Sequence, residues 1–199
     1  MQFVQPIRKQ STIRKMKEAL KSRNLRDYAL FSLGINCGLR ISDLLSLTVK
    51  DVLAGRGKRI RISKELEIKE HKTRKVKRFP INDKAREALR EYLVERRPEH
   101  LDEPLFLSRQ KDDEGNKAAI SRFQVWRAMN HAARAAGIPE SYRIGTHTLR
   151  KTFGYQLRKS GVDIPEIQMM LNHSHPAVTI RYLGITDDKL ATLYRNLNL

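Results

Sequence analysis

The sequence predicts a mainly α chain of the α+β class, with one small three-stranded antiparallel sheet set among its helices. Three observations carry that expectation. Apolar residues recur every three to four positions along most of the chain, the spacing of one helix face. Only between residues 59 and 81 does the pattern change to strict polar–apolar alternation, the period of a half-buried strand. Asn, Ser, Asp or Pro opens most of the periodic stretches, and Gly or Pro closes most of them.

Residues 11–23 place Ile13, Met16 and Leu20 on one face of an otherwise basic segment, an amphipathic helix. Residues 25–37 are apolar nearly all round, through Tyr28, Leu30, Phe31, Leu33 and Ile35, so this second helix is buried, and Gly38 stops it. Ser42 suits the cap of a short helix over 43–47. The alternating runs 59–63, 65–69 and 76–81 are the three strands, the last two joined by a basic loop over 71–75. Asn82 caps a helix over 83–97 that Pro98 closes. A polar stretch over 99–117 holds one short apolar element, 104–107, and a turn-like tip at 112–116. Ser121 caps a long helix to 136 with Gly137 as its stop, and 146–160 is another helix, ended by Gly161. Asp163 caps 164–172, Pro176 opens 177–183, and Thr186 opens a last helix to about residue 196. No repeat or low-complexity run interrupts the order, so residues 1–199 are expected to form a single domain.

The 199 residues carry 40 Lys+Arg against 22 Asp+Glu, a net charge of +18. At 40% hydrophobic residues the chain can build a real core, which excludes general disorder. An excess of that size and one sign points to a polyanionic partner, nucleic acid first and an anionic membrane surface second. No stretch approaches the roughly 20 apolar residues that cross a bilayer. The opening Met-Gln-Phe-Val-Gln-Pro lacks the apolar centre of a signal peptide. A single cysteine, Cys37, excludes an internal disulfide framework and any multi-cysteine metal site, and fits a reducing compartment.

Four short motifs hold residues that could do chemistry. His147-Thr-Leu-Arg150 puts an imidazole and a guanidinium on one helix face beside a helix N-terminus, a good place for a phosphate oxygen. Gly38-Leu-Arg40-Ile-Ser-Asp43 sets an arginine between two apolar runs, where a partly buried charge needs a partner, and Asp43 is the candidate. His71-Lys72-Thr-Arg74-Lys75-Val-Lys77 is a basic hairpin tip that could reach phosphates in a groove. Asn172-His173, followed nine residues on by Tyr182, spans a break at Pro176. Each motif alone also has an ordinary reading: a surface His and Arg, a structural salt bridge, solvated lysines, a capping histidine and a packed tyrosine.

Together, in this order, Arg…Lys…His-x-x-Arg…His…Tyr resembles the catalytic domain of the tyrosine recombinases, the phage integrases and Xer-like enzymes. Gly38-Leu-Arg-Ile-Ser-Asp-Leu-Leu-Ser-Leu is similar to that family's first-arginine box, and His71-Lys-Thr-Arg-Lys-Val-Lys-Arg-Phe-Pro-Ile81 to its lysine hairpin. Thr146-His-Thr-Leu-Arg-Lys-Thr-Phe-Gly154 is similar to the His-x-x-Arg box, and Leu171-Asn-His-Ser-His…Tyr182 to the segment that ends in the nucleophile. The resemblance runs from about residue 10 to 190.

The resemblance implies a site-specific DNA recombinase or integrase that cleaves and rejoins duplex DNA through a 3′-phosphotyrosine, without metal ion, ATP or other cofactor. Tyr182 would be the nucleophile, with Tyr194 the fallback. Arg40 and Arg150 would clamp the phosphate, His147 would be the base toward the tyrosine and His173 a donor to the phosphate. Lys72 would protonate the leaving 5′ oxygen, Lys69 and Lys75 being the other lysines of that hairpin, and Asp43 would support Arg40 or His147. Arg74, Lys75, Lys77 and Lys151 would hold DNA. Double-stranded DNA is the implied partner, in a homo-tetramer assembled on it, with accessory DNA-bending proteins and no membrane, in the cytoplasm with the nucleoid. The chain departs from the pattern in carrying Asn172 where glycine is usual and Lys151 where a second histidine is common. Only about ten residues precede the first expected helix, so the core-binding domain that the resemblance implies is expected to be absent, the chain being either a catalytic-domain-only member or a fragment of a longer protein. A DNA-binding accessory or regulatory module on the same fold, which binds without cutting, is the alternative. A topoisomerase-like relaxing activity shares the chemistry.

Overall fold

The computed structural model describes residues 4–55, 60–69, 76–183 and 195–196. Nine helices and four strands follow in the order α1 (Gln10–Arg23), α2 (Leu25–Cys37), α3 (Ile41–Leu45), α4 (Val49–Val52), β1 (Glu65–Lys69), β2 (Val76–Pro80), α5 (Asp83–Arg96), β3 (Leu107–Lys111), β4 (Lys117–Ala119), α6 (Arg122–Ala135), α7 (His147–Lys159), α8 (Ile164–Leu171) and α9 (Pro176–Leu183) among the described residues. The expected basic loop over 71–75 lies outside them, as does nearly all of the helix expected from Thr186.

The all-round apolar α2 is the centre of the molecule, packed by α1, α5, α6 and α7, which is why no polar face survives on it. At Gly34 a side chain would lie 2.8 Å from Leu149 Cδ1, so the two helices α2 and α7 meet almost backbone to side chain. Leu30, Phe31, Leu33, Leu89, Leu93, Phe106, Met129 and Leu149 fill the space around α2. A second, smaller cluster of Ile167, Leu171 and Leu183, with Phe153 and Tyr182 against it, is formed by α7, α8 and α9. Caps fall where the sequence places them: Asn82 Oδ1 accepts from Ala85 N at 3.0 Å, Ser121 Oγ from Gln124 N at 3.2 Å, and Asp163 makes a reciprocal box with Glu166.

The single three-stranded sheet is not what forms. There are two antiparallel two-stranded sheets, β1–β2 and β3–β4. In the first, Leu66 faces Phe79 and Ile68 faces Lys77. The expected first strand takes its bonds elsewhere: Ser63 N donates to Val52 O and Ala54 N to Arg61 O, each at 2.8 Å, so residues 61–63 fold back on the end of α4. Ile62 is left with one isolated bridge, to Leu53. The β3–β4 hairpin lies in the polar stretch, its tip held by Asp112 Oδ1, which accepts from Asn116 N at 2.7 Å. The third helix also begins earlier than expected, at Ile41, with Arg40 and not a serine in the capping position. A fourth helix, α4, is opened by a Thr48–Asp51 capping box.

The N-terminal segment crosses α7. Ile7 N donates to Thr152 Oγ1 at 2.9 Å, Gln156 Nε2 donates to Ile7 O at 3.1 Å, and Gln5 N donates to Arg143 O at 2.9 Å. No described helix is long and apolar enough to cross a membrane.

One buried charge cluster ties the end of α5 to the β3–β4 hairpin. The Glu103 carboxylate, 7% exposed, accepts from Arg96, from Lys117 Nζ at 3.0 Å and from His100 N at 3.1 Å. Burial alone would raise its carboxyl, but Lys117, the His100 amide and Arg96 outweigh that and hold it down at about 2. A carboxyl depressed on folding adds stability above its unfolded value, and that stability is lost as pH falls through the folded one. Glu103→Gln is therefore expected to cost about 3 kcal/mol at pH 7 and to flatten the loss of stability between about pH 4.5 and 2. Thermal melts of both proteins across that pH range check it.

Candidate active site

The turn after α2 starts the site. Gly38 stands at φ 63°, and a side chain there would lie 2.3 Å from Phe153 Cδ1, so both the backbone and the neighbouring α7 require glycine. The turn delivers Arg40 to the start of α3. Its side chain is largely buried, and Nη1 lies 4.0 Å from Oδ2 of Asp43, which is 2% exposed.

Helix α7 supplies the opposite wall. The intervals 147, 150, 151 and 154 share a helix face, so His147, Arg150 and Lys151 project together. Arg150, 4% exposed, donates from Nη1 to Gly38 O at 2.7 Å and from Nη2 to Leu171 O. One guanidinium thus joins the turn before α3 to the end of α8, and its plane is fixed by two carbonyls. His147 is exposed at the helix start. Crowding around its ring, then the positive charges of Arg122, Arg150, Lys151 and Arg40, push its pKa down, so the imidazole is neutral at pH 7.

Helices α8 and α9 bring the third part. Asn172 ends α8 in the left-handed conformation at φ 49°, the backbone a glycine would take there, and asparagine tolerates it. The turn is closed by His173 N donating to Gln168 O at 3.1 Å and by Gln168 Nε2 donating to His173 O at 3.1 Å. His173 Nδ1 sits 3.0 Å from Oγ1 of the fully buried Thr179, and the ring stands edge-on to Tyr182, centroids 5.1 Å apart. The Tyr182 hydroxyl oxygen is buried and makes no hydrogen bond among the described residues. Burial pushes its phenol up to about 12, against the pull of the Arg150 and Arg40 charges. Lys151 Nζ lies 5.3 Å from the centroid of the Tyr182 ring.

The structure therefore sets the charges of Arg40 and Arg150 near both His147 and Tyr182, with Asp43 beside Arg40 and His173 at the Tyr182 ring. Lys72, Arg74 and Lys75 lie outside the described residues. Lys77 is half-buried in β2, donates to Met170 O and rests 6.0 Å from the Phe79 ring centroid, so it ties the hairpin to α8. Other tyrosines are engaged elsewhere: Tyr92 stacks on Phe106, the Tyr142 hydroxyl donates to Pro6 O, and Tyr155 lies under Arg8. Tyr194 is outside the described residues. Among the described residues no group of His, Cys, Asp and Glu is arranged to hold a metal ion. Cations so outnumber carboxylates around Tyr182 that the site suits an anion carrying its charge on oxygen.

A family model described as the phage integrase family matches residues 8–189. The chain belongs to the phage integrase family. Among the members it is similar to is the probable integrase/recombinase YoeC of Bacillus subtilis (strain 168), 40% identical over 98% of this chain and 97% of that one. It is 31% identical to the tyrosine recombinase XerD of Corynebacterium glutamicum over 86% of its own length, and there it spans about half of the relative, 52%. Its fold is similar to that of XerH site-specific recombinase bound to palindromic difH substrate, with a TM-score of 0.71, 20% identity, and coverage of 98% of this chain and 54% of that one.

Two parts of this candidate site escape a reading of the sequence. Thr179, which holds His173, carries only a faint signal, a hydroxyl inside the apolar run of α9. The inward direction of Lys151 is visible only once α7 is known to be buried on most of its surface.

Proposed function

We propose that the chain is a site-specific DNA recombinase that breaks and rejoins duplex DNA through a 3′-phosphotyrosine on Tyr182. The observation that carries this reading is the convergence of Tyr182 with His173 at its ring edge and with the Arg150 and Arg40 charges beside its hydroxyl. Tyr182 Oη attacks the phosphorus, the bond to the 5′ oxygen breaks, and a covalent ester replaces it. Because one phosphoester is exchanged for another, the reverse step needs no ATP.

Each side chain has a part. Arg40 and Arg150 hold the non-bridging oxygens, where charge grows in the transition state. Their approach also lowers the cost of ionising a phenol that burial has raised. His147, neutral at pH 7, accepts the tyrosine proton, and His173, oriented by Thr179, donates to the phosphate. Asp43 holds Arg40, and Lys72 donates the proton to the 5′ oxygen. Arg74 and Lys75 meet backbone phosphates, and the net charge of +18 makes binding steeply salt-dependent. Exchange between two sites requires cleavage of four strands, so the working assembly on DNA is a tetramer of this chain.

The test is a nicked suicide duplex, from which the cut fragment diffuses away, incubated with the protein in EDTA and run on a denaturing gel. A protein–DNA band is expected, since the arginines supply the positive charge. Salt-sensitive binding with no such band would overturn the reading in favour of a module that binds DNA without cutting it.

A further inference from the structure

Lys151 has no part in that scheme, and its placement is not that of a surface cation. It is 8% exposed, and its ammonium lies against the face of the Tyr182 ring at 5.3 Å from the centroid. The groups around a lysine buried to this degree stabilise its charge, and the Tyr182 ring is one of them. The negative face of an aromatic ring does so weakly. A phenolate does so far more strongly, because its charge is delocalised from the oxygen into the ring that the ammonium already covers.

We propose that Lys151 is a positioning residue for Tyr182: its ammonium holds the phenol ring against α7 and stabilises the phenolate formed when the tyrosine is displaced during rejoining. This rests on the phosphotyrosine reading above. In rejoining, the 5′-hydroxyl oxygen attacks the phosphorus and gives its proton to Lys72, while the phosphorus–Tyr182 bond breaks with its electron pair left on the phenol oxygen. His147 then returns a proton to that oxygen, and nothing is oxidised or reduced. The interaction is weak with the neutral phenol or the ester and strong with the departing phenolate, so it acts on the barrier more than on the bound state. Arg150 and Arg40 also bring positive charge to the hydroxyl, whereas Lys151 covers the ring. Burial of both partners adds to the effect: it lowers the Lys151 ammonium and raises the Tyr182 phenol, as expected where little water screens one charge from the other.

The experiment uses the full chain carrying tyrosine or 2,3,5-trifluorotyrosine, a better leaving group, at position 182, with Lys or Met at 151. Adduct is first trapped on the nicked suicide duplex, and an oligonucleotide with a 5′-hydroxyl is then added to measure rejoining. With tyrosine, Lys151→Met is expected to slow rejoining about tenfold, and Lys151→Arg to restore most of it. With the trifluorinated ring the penalty is expected to shrink toward none, because a more stable phenolate needs less help. A penalty equal on both rings would mean that Met only disturbs packing, and would overturn the proposal. So would unchanged rejoining with weaker, less salt-dependent DNA binding, the mark of a phosphate contact. Lys151→Gln is the second neutral variant should Met not fold. Absence of any adduct from the wild-type chain would overturn the phosphotyrosine reading itself, and is distinct from every outcome in which adduct forms and only its resolution changes.

Discussion

Tyr182→Phe is expected to abolish the covalent DNA adduct while leaving the fold and DNA affinity nearly unchanged. The usual difficulty with such a variant is that a buried hydroxyl leaves its hydrogen-bond partner stranded. Here the Tyr182 hydroxyl makes no hydrogen bond among the described residues, so its removal strands nothing. The ring stays in place against His173 and Lys151. Stability is therefore expected to stay within about 1 kcal/mol of the parent, or to rise slightly, because the desolvation cost of an unbonded hydroxyl disappears. Adduct on a denaturing gel, a filter-binding isotherm and a thermal melt together check it. A band that persists in the variant would move the nucleophile to Tyr194.

Arg150→Ala is expected to do damage of two kinds. Loss of one preorganised donor to the transition state costs roughly 10²–10³ in cleavage rate. Loss of the guanidinium also leaves Gly38 O and Leu171 O buried without their donor. Each orphaned carbonyl costs about 1–3 kcal/mol, and the emptied volume adds to that, so a total near 4 kcal/mol is expected. Arg40→Ala is expected to lose a similar factor in rate, and stability as well, because it leaves the Asp43 carboxylate, 2% exposed, without the guanidinium 4.0 Å away. Single-turnover cleavage and urea denaturation of both variants check these losses. Parent-like stability of Arg150→Ala would mean that Arg150 does not bridge the two carbonyls.

The helices were legible because their signals are local. Periodicity and caps lie within a few residues of each other, and Asn82, Ser121 and Asp163 act where their chemistry suggests. The sheet was not, because alternation shows that a segment is extended and not what it pairs with. Ile62 alternates as a strand should, yet the backbone around it bonds to the end of α4. The hairpin Leu107–Lys111 with Lys117–Ala119 is mostly polar and exposed, so it has no buried face to produce a pattern. At the site, Arg40, His147, Arg150, His173 and Tyr182 could be picked out by their resemblance to a family pattern. What positions them is tertiary and left little trace in the sequence: two carbonyls around Arg150 and a threonine behind His173. Lys151 was expected to hold DNA, and its place over the Tyr182 ring was not foreseen, since a lysine beside an arginine looks the same in sequence whichever way it points.

The guanidinium of Arg150 also orders events in time. Its two carbonyl partners come from positions 38 and 171, so one acceptor is made long before it on the ribosome and the other well after. Until Leu171 has been synthesised, the charge cannot be sequestered and the wall between the first arginine and the tyrosine helix cannot close. Tyr182 follows later still. A chain interrupted in synthesis, or clipped ahead of α8, thus holds much of the basic surface that attracts a chromosome but none of the assembled cutting centre. Under the proposed mechanism, cleavage becomes possible only after α8 and α9 have been made, together with the geometry that reseals the strand.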